Sequence, residues 1–253
     1  MKSNLTEMKY FLGAFNLLTT LPFPLPKDWQ AGDSGRSAGW YSFVGLCIGA
    51  LVAGSLFLFR IFFSNMASAA LSLAIWVMLT GGLHLDGLAD CFDGMFHASD
   101  PEHRLQIMRD PHIGAFGVIG LVLILLLKFS LLSSISSNYF PLSILLSASF
   151  ARWCVVLAGK QSLARSDGMA ADFASGLQTQ SVILSALIPL GLVVWLGKIG
   201  LLAAGLGWLT AFIILGIAKR NLGGVTGDVF GLIVELVETT MLLAFTIISK
   251  QVI

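Results

Sequence analysis

The stretch Ala115-Phe116-Gly117-Val118-Ile119-Gly120-Leu121-Val122-Leu123-Ile124-Leu125-Leu126-Leu127-Lys128-Phe129-Ser130-Leu131-Leu132 carries a single charge. It is long enough to cross a hydrocarbon layer about 30 Å thick, which takes roughly 20 apolar residues in a helix. Six further stretches repeat the pattern or come close to it: Trp40–Phe59, Met66–Leu83, Pro141–Leu157, Ser181–Leu196, Gly200–Ala218 and Val229–Ile248. Composition agrees. Of 253 residues, 56% are hydrophobic and 11% are charged, where soluble domains carry about 25% charged residues. Mean hydropathy is +0.86. The chain therefore reads as one all-α, polytopic membrane domain over 1–253, with about seven spans. A soluble enzyme, a disordered chain and a nucleic-acid binder working through a basic face are excluded. The net charge of +1 says little about partners. Cys47, Cys91 and Cys154 are too scattered for a disulfide framework or a metal pair, and read as small buried hydrophobes.

Upstream of the first span, Tyr10–Leu21 is apolar but short, and a proline-rich run follows it. The reading is a retained helix on or partly in the interface. Lysines and arginines mark the cytoplasmic side. The 133–140 connection has none, whereas 83–114, 159–180 and 219–228 all carry them. With seven spans those three loops share one side.

They also hold the polar motifs. In Gly81-Gly82-Leu83-His84-Leu85-Asp86-Gly87-Leu88-Ala89-Asp90-Cys91-Phe92-Asp93-Gly94-Met95-Phe96-His97, a helix would place Asp90 about 40° from Asp86, and Asp93 and His97 about 20° from it. Three carboxylates on one stripe beside a bilayer repel one another unless a cation sits among them. Hard divalent ions such as Mg²⁺ suit carboxylate oxygen and bind through a few carboxylates plus substrate phosphate. Asp86, Asp90 and Asp93 are thus candidate metal ligands. A solvated acidic face and a cation relay are the alternatives. His84 is open between packing and function.

The loop that follows contains Arg104 and Arg109, whose guanidinium groups suit phosphate oxygens. His112 and Gly114 stand at the entrance to the next span, where free helix N–H groups offer an anion site. The alternative is positive-inside anchoring. Gly223-Gly224-Val225-Thr226-Gly227-Asp228 could wrap a phosphate through backbone N–H groups but lacks the Lys-Ser/Thr of a P-loop. Glu235 and Glu238 lie inside an apolar run, costly in lipid unless a partner faces them. Such acids read as functional, or as structural partners of Arg152, Lys128 or Arg60. Arg152 is open between anchor and substrate contact. Arg165 and Asp167 read as ordinary loop residues.

In order along nearly the whole chain, these motifs resemble the adenosylcobinamide-GDP ribazoletransferase (cobalamin synthase) family. The resemblance rests on Gly81 to Asp90 with Asp93-Gly94, on Ile107-Met108-Arg109-Asp110 with Ile113-Gly114-Ala115-Phe116-Gly117, and on Gly223-Gly224 with Thr226-Gly227-Asp228. Cys91-Phe92 departs from the expected pattern but falls off the acidic stripe. The resemblance implies a bacterial inner-membrane enzyme with its active site facing the cytoplasm. Such an enzyme would join adenosylcobinamide-GDP to α-ribazole or its 5′-phosphate, release GMP and require Mg²⁺. It implies no nucleic-acid partner and leaves room for a homo-oligomer. On this expectation Asp86, Asp90 and Asp93 hold the metal. Arg104, Arg109, His112, Gly114, Arg152, Gly224, Thr226 and Glu235 bind substrate. Asp228, or His84 in its place, removes the acceptor proton. A CDP-alcohol phosphotransferase-like enzyme is the nearest alternative, but the arginine its motif requires after Asp93-Gly94 is missing. A cation transporter would place acids in mid-span and show inverted repeats; here the acids gather at span ends.

Overall fold

The computed structural model describes residues 2–136 and 139–251, so part of the 133–140 connection lies outside the described residues. The helices are α1 (Lys2–Leu18), α2 (Asp33–Arg36), α3 (Tyr41–Phe62), α4 (Asn65–Thr80), α5 (Leu83–Phe96), α6 (Pro101–Ile107), α7 (Ala115–Ser134), α8 (Phe140–Ala158), α9 (Met169–Gly176), α10 (Thr179–Leu222) and α11 (Gly227–Gln251). A single 3₁₀ turn, Ser37–Trp40, joins α2 to α3. Among the described residues the only extended pairing is one bridge, Leu163 to Val225.

Among the described residues, five helical stretches are long and apolar enough to cross a membrane: 33–62, 115–134, 140–158, 179–222 and 227–247. The α4–α5 pair qualifies as a sixth, broken span, bent by 89°. The two separate spans expected at Ser181–Leu196 and Gly200–Ala218 run on as one helical stretch of 44 residues. At 1.5 Å per residue it would be about 66 Å long, twice the hydrocarbon layer. It is not one rod, because Gly197 sits at φ 58, ψ −131 inside it. The two ends of α10 also lie at the same end of the bundle. The Ser181 hydroxyl donates to Arg36 O beside α2, and the chain leaving α10 pairs with the segment leaving α8, with Val225 N donating to Ser162 O at 2.9 Å. Gly32 N, just before α2, donates to Asp172 of α9 at 2.7 Å, which ties those regions together. The chain therefore reverses at Gly197, where the positive φ requires glycine. With α10 taken as a hairpin, the seven apolar segments of the sequence reappear.

The helix α11 is the hub, and 78% of its span is buried. Around it pack α5, α7, α8 and α10. Small residues allow the close approaches on which membrane bundles rely. A Cβ placed at Gly49 of α3 would lie 2.9 Å from Leu145 Cα of α8, and Gly45 meets the Ala148 backbone in the same way. The serines of α8 satisfy themselves, with Ser143, Ser147 and Ser149 donating to Phe140 O, Ile144 O and Leu146 O. Outward faces are apolar: Val118, Ile119, Val122, Leu123 and Leu126 of α7 are exposed, as lipid contact requires. The N-terminal helix is not among the spans. Its Phe11 and Phe15 join Phe23, Trp40 and Phe43 in an aromatic cluster. Lys9 is paired with Asp33 at 2.7 Å, whose carboxylate holds the ammonium above the ordinary lysine range. All three cysteines are free, with Cys91 and Cys154 buried.

Candidate active site

Gly81 and Gly82 both adopt left-handed φ, 62° and 72°, which makes the sharp turn that swings α5 away from α4. The returning helix packs on the first turns of α11 through glycine. A Cβ at Gly87 would stand 2.9 Å from Asp228 Cα, and one at Gly231 would stand 2.8 Å from His84 O. Backbone contact of this kind leaves no room for a side chain between the helices. It brings the carboxylates of α5 to Asp228. Asp86, exposed at the mouth, and the partly buried Asp228 line one cavity of about 180 Å³. Asp90 feels the charges of Asp228, Asp86, Asp93 and Arg165. Among the described residues neither Asp86 nor Asp90 has a hydrogen-bond or ion-pair partner for its carboxylate.

Asp93 has a different role. Its two oxygens accept Gly114 N at 2.8 Å and Gly117 N at 2.9 Å, so it caps α7 from another helix. The N–H groups expected to hold a substrate anion hold this carboxylate instead. Asp93 faces a second, shallower hollow with His97, His103, Asp110 and His112. There the His112 N–H and ring hold the Asp110 carboxyl below the ordinary range. Arg104 is turned back onto the end of α5, donating to Ser99 O at 2.9 Å. Arg109 makes a bidentate contact with Asp167 at 2.8 Å, in the open. The expected acidic stripe is therefore divided, with Asp86 and Asp90 toward α11 and Asp93 toward α7. No three His, Cys, Asp or Glu side chains among the described residues converge on a single ion position.

The glycine-rich loop is stitched rather than open. Gly224 presses on the backbone of Ser162–Ala164, Val225 N goes to Ser162 O, and Ala164 N donates to Val225 O at 3.0 Å. Thr226 is fully buried. Its hydroxyl donates to Asp228 Oδ2 at 3.1 Å and accepts Val229 N at 3.3 Å. Gly224 and Thr226 thus shape the start of α11. The same stitching carries Arg165 to Asp228, 3.4 Å away, so a residue expected to be ordinary loop lines the cavity. Nothing local in the sequence marks it, because its partner is 63 positions distant.

Beneath the cavity lies a buried charge network. Lys128 Nζ sits 2.6 Å from both Glu235 and Glu238 and 4.7 Å over the Trp76 ring. Arg152 pairs with Glu238 and donates to Ala148 O. Of the pairings open to these acids, Lys128 and Arg152 are realised. Arg60 instead donates to Leu132 O and Ile135 O. The Glu235 carboxylate, expected to contact substrate, is spent on Lys128. Arg152 and His84 do reach the cavity. Trp153 packs on Phe150 and Trp208.

The fold and the site define a multi-pass membrane protein with a carboxylate- and arginine-lined cavity at one end of its helical bundle. Comparison with known proteins narrows the class. The family described as cobalamin-5-phosphate synthase matches residues 10–246, and the chain belongs to it. Among curated relatives, the adenosylcobinamide-GDP ribazoletransferase of Desulfitobacterium hafniense is 37% identical, over 91% of this chain and 93% of that one. The enzymes of the same name from Deinococcus radiodurans and Stutzerimonas stutzeri are also 37% identical, covering 93% and 92% of this chain and 85% and 96% of theirs. No solved structure matches.

Proposed function

We propose that this chain transfers the cobinamide phosphate of adenosylcobinamide-GDP to α-ribazole or its 5′-phosphate, releasing GMP at the cytoplasmic face of a bacterial inner membrane. The observation that carries the reading is the glycine contact between α5 and α11, which sets the uncommitted carboxylates of Asp86 and Asp90 beside Asp228 in a chain of this family. The basic loops at that end of the bundle, with Arg104, Arg109, Lys160, Arg165, Lys219 and Arg220, support the cytoplasmic assignment.

In the reaction, a ribose hydroxyl oxygen of the acceptor forms a bond to the phosphorus bearing the cobinamide. The bond from that phosphorus to the GMP oxygen breaks. Asp228, which Thr226 orients and Arg165 flanks, takes the hydroxyl proton in this reading. His84 is the alternative base. Arg165 also offers charge to phosphate oxygens at the cavity wall. The donor set fits Mg²⁺: Asp86 and Asp90 present hard oxygens with no other partner, and two carboxylates plus substrate phosphate is the usual Mg²⁺ arrangement. Asp93 contributes less, since each of its oxygens already accepts an N–H. When bound, Mg²⁺ would neutralise charge on the diphosphate.

The test is product analysis by mass spectrometry with purified protein in detergent, adenosylcobinamide-GDP and α-ribazole. The expected result is the joined corrinoid with Mg²⁺ present, none after chelation, and recovery when Mg²⁺ is restored. Product formed equally in excess chelator would remove the metal from the account.

A further inference from the structure

The wall of the cavity carries buried nitrogen atoms with nothing to bond. Arg152 is 1% exposed. Its Nη1 is engaged by Ala148 O and Glu238, while its Nε and Nη2 are buried without a partner. His84, 5% exposed, has its Nδ1 unpaired, and so is Nη1 of Arg165. All three residues line the cavity that holds Asp86 and Asp228. Buried polar groups in folded proteins are nearly always bonded, and each exception asks for an explanation. An unsatisfied buried donor costs about 1–3 kcal/mol, more when charged. Here the two free nitrogens of Arg152 form one edge of its guanidinium, the edge that makes two parallel bonds to an oxyanion. Glu238 holds the opposite nitrogen and so fixes the orientation of that edge.

We propose that Arg152, with His84 and Arg165, forms a subsite for a phosphate group of a substrate, separate from the uncommitted carboxylates at the mouth. The inference rests on the proposed transferase reading. Two sources supply the same chemistry: the 5′-phosphate of the acceptor, and the diphosphate of the donor. The rest of the wall is apolar, with Leu18, Val155, Phe173 and Phe230. At about 180 Å³ the space is small beside ordinary ligand pockets, which run to several hundred Å³, so it holds part of a substrate and not a corrin ring.

The experiment uses the full chain in detergent or nanodiscs. Arg152→Met alone would leave two buried acids, Glu235 and Glu238, on the single cation Lys128, so it is combined with Glu238→Gln and compared with Glu238→Gln alone. Arg152→Lys is the second variant, keeping the charge but not the two-pronged edge. Each is checked for folding by size exclusion and thermal unfolding. Equilibrium binding of α-ribazole 5′-phosphate and the KM of each substrate are then measured. The expected loss is at least about tenfold, the scale of a charge-assisted hydrogen bond. A loss confined to α-ribazole 5′-phosphate, with α-ribazole within twofold, assigns the subsite to the acceptor's phosphate. A rise in donor KM with either acceptor assigns it to the donor. Folded variants that bind and turn over both substrates within twofold of their reference overturn the subsite. Wild-type protein inactive with both acceptors would instead sink the transferase reading, independently of the binding result.

Discussion

Among single residues, Asp86, Asp90 and Asp93 show how far a helical wheel can be trusted. The wheel puts Asp93 close in angle to Asp86. Seven residues is also about 10 Å along the axis, enough to meet a different neighbour. Asp86 and Asp90 stay without partners, while Asp93 serves α7. Asp93→Ala is accordingly expected to destabilise the protein by about 0.5–2 kcal/mol, the range for losing a helix N-cap, read as a lower unfolding temperature in detergent. Asp93→Asn keeps one acceptor oxygen and turns its amide NH2 toward the other N–H, so it should also lower the unfolding temperature while keeping more activity than Asp86→Asn does. Equal activity losses in Asp86→Asn and Asp93→Asn, with stability untouched, would restore the undivided stripe. That these three acids needed a partner was legible from the sequence, because acids in an apolar, glycine-rich helix are costly unless something faces them. Arg165 was not legible, since only the pairing of 162–164 with Val225 brings it to Asp228.

Between elements, glycine decides what meets what. The α5–α11 contact is backbone on backbone, so a methyl group at Gly87 forces the helices apart and moves Asp228 away from Asp86. Displacements of about 1 Å in a reaction centre can cost around 100-fold in rate. Gly87→Ala is therefore expected to lower kcat by about 10- to 100-fold in protein that still folds. Gly54→Ala, at a position where a Cβ meets nothing within 4 Å, serves as the neutral control. Wild-type turnover in Gly87→Ala would show that the contact does not set the site. The break in α10 belongs to this scale too. Two apolar runs separated by Gly197-Lys198 were visible as separate spans. That they form a hairpin follows from their ends, one beside Arg36 and the other beside Ser162, contacts with no local signature. The buried network was visible as a set of possible partners for Glu238. Which cation answered which acid depended on how α7 and α8 rotate against α11.

Taken whole, the molecule is a bundle with one chemically elaborate end. The loops around 97–114, 159–178 and 219–226 gather there, while the turns at 63–64 and 197–198 lie at the other. Single cysteines at Arg109 and Lys198 should therefore label from opposite sides of sealed inner-membrane vesicles with a membrane-impermeant maleimide. Native Cys91 and Cys154 are buried and should stay silent, and the half-buried Cys47 is first replaced by alanine. Labelling of both positions from one side would undo the topology and the assignment of the site to the cytoplasm. The all-α, polytopic class could be read from the apolar runs alone, because lipid admits few other solutions. Whether α5 and α11 together build one reaction centre is read from GMP release from adenosylcobinamide-GDP in the presence of α-ribazole and Mg²⁺. Wild type should release GMP. Asp86→Asn and Asp228→Asn should each lose at least about 100-fold, and the double variant little more than the worse single, as expected of groups acting as a unit. Folded single variants that stay within tenfold of wild type, or wild type that releases no GMP, would contradict a shared reaction centre.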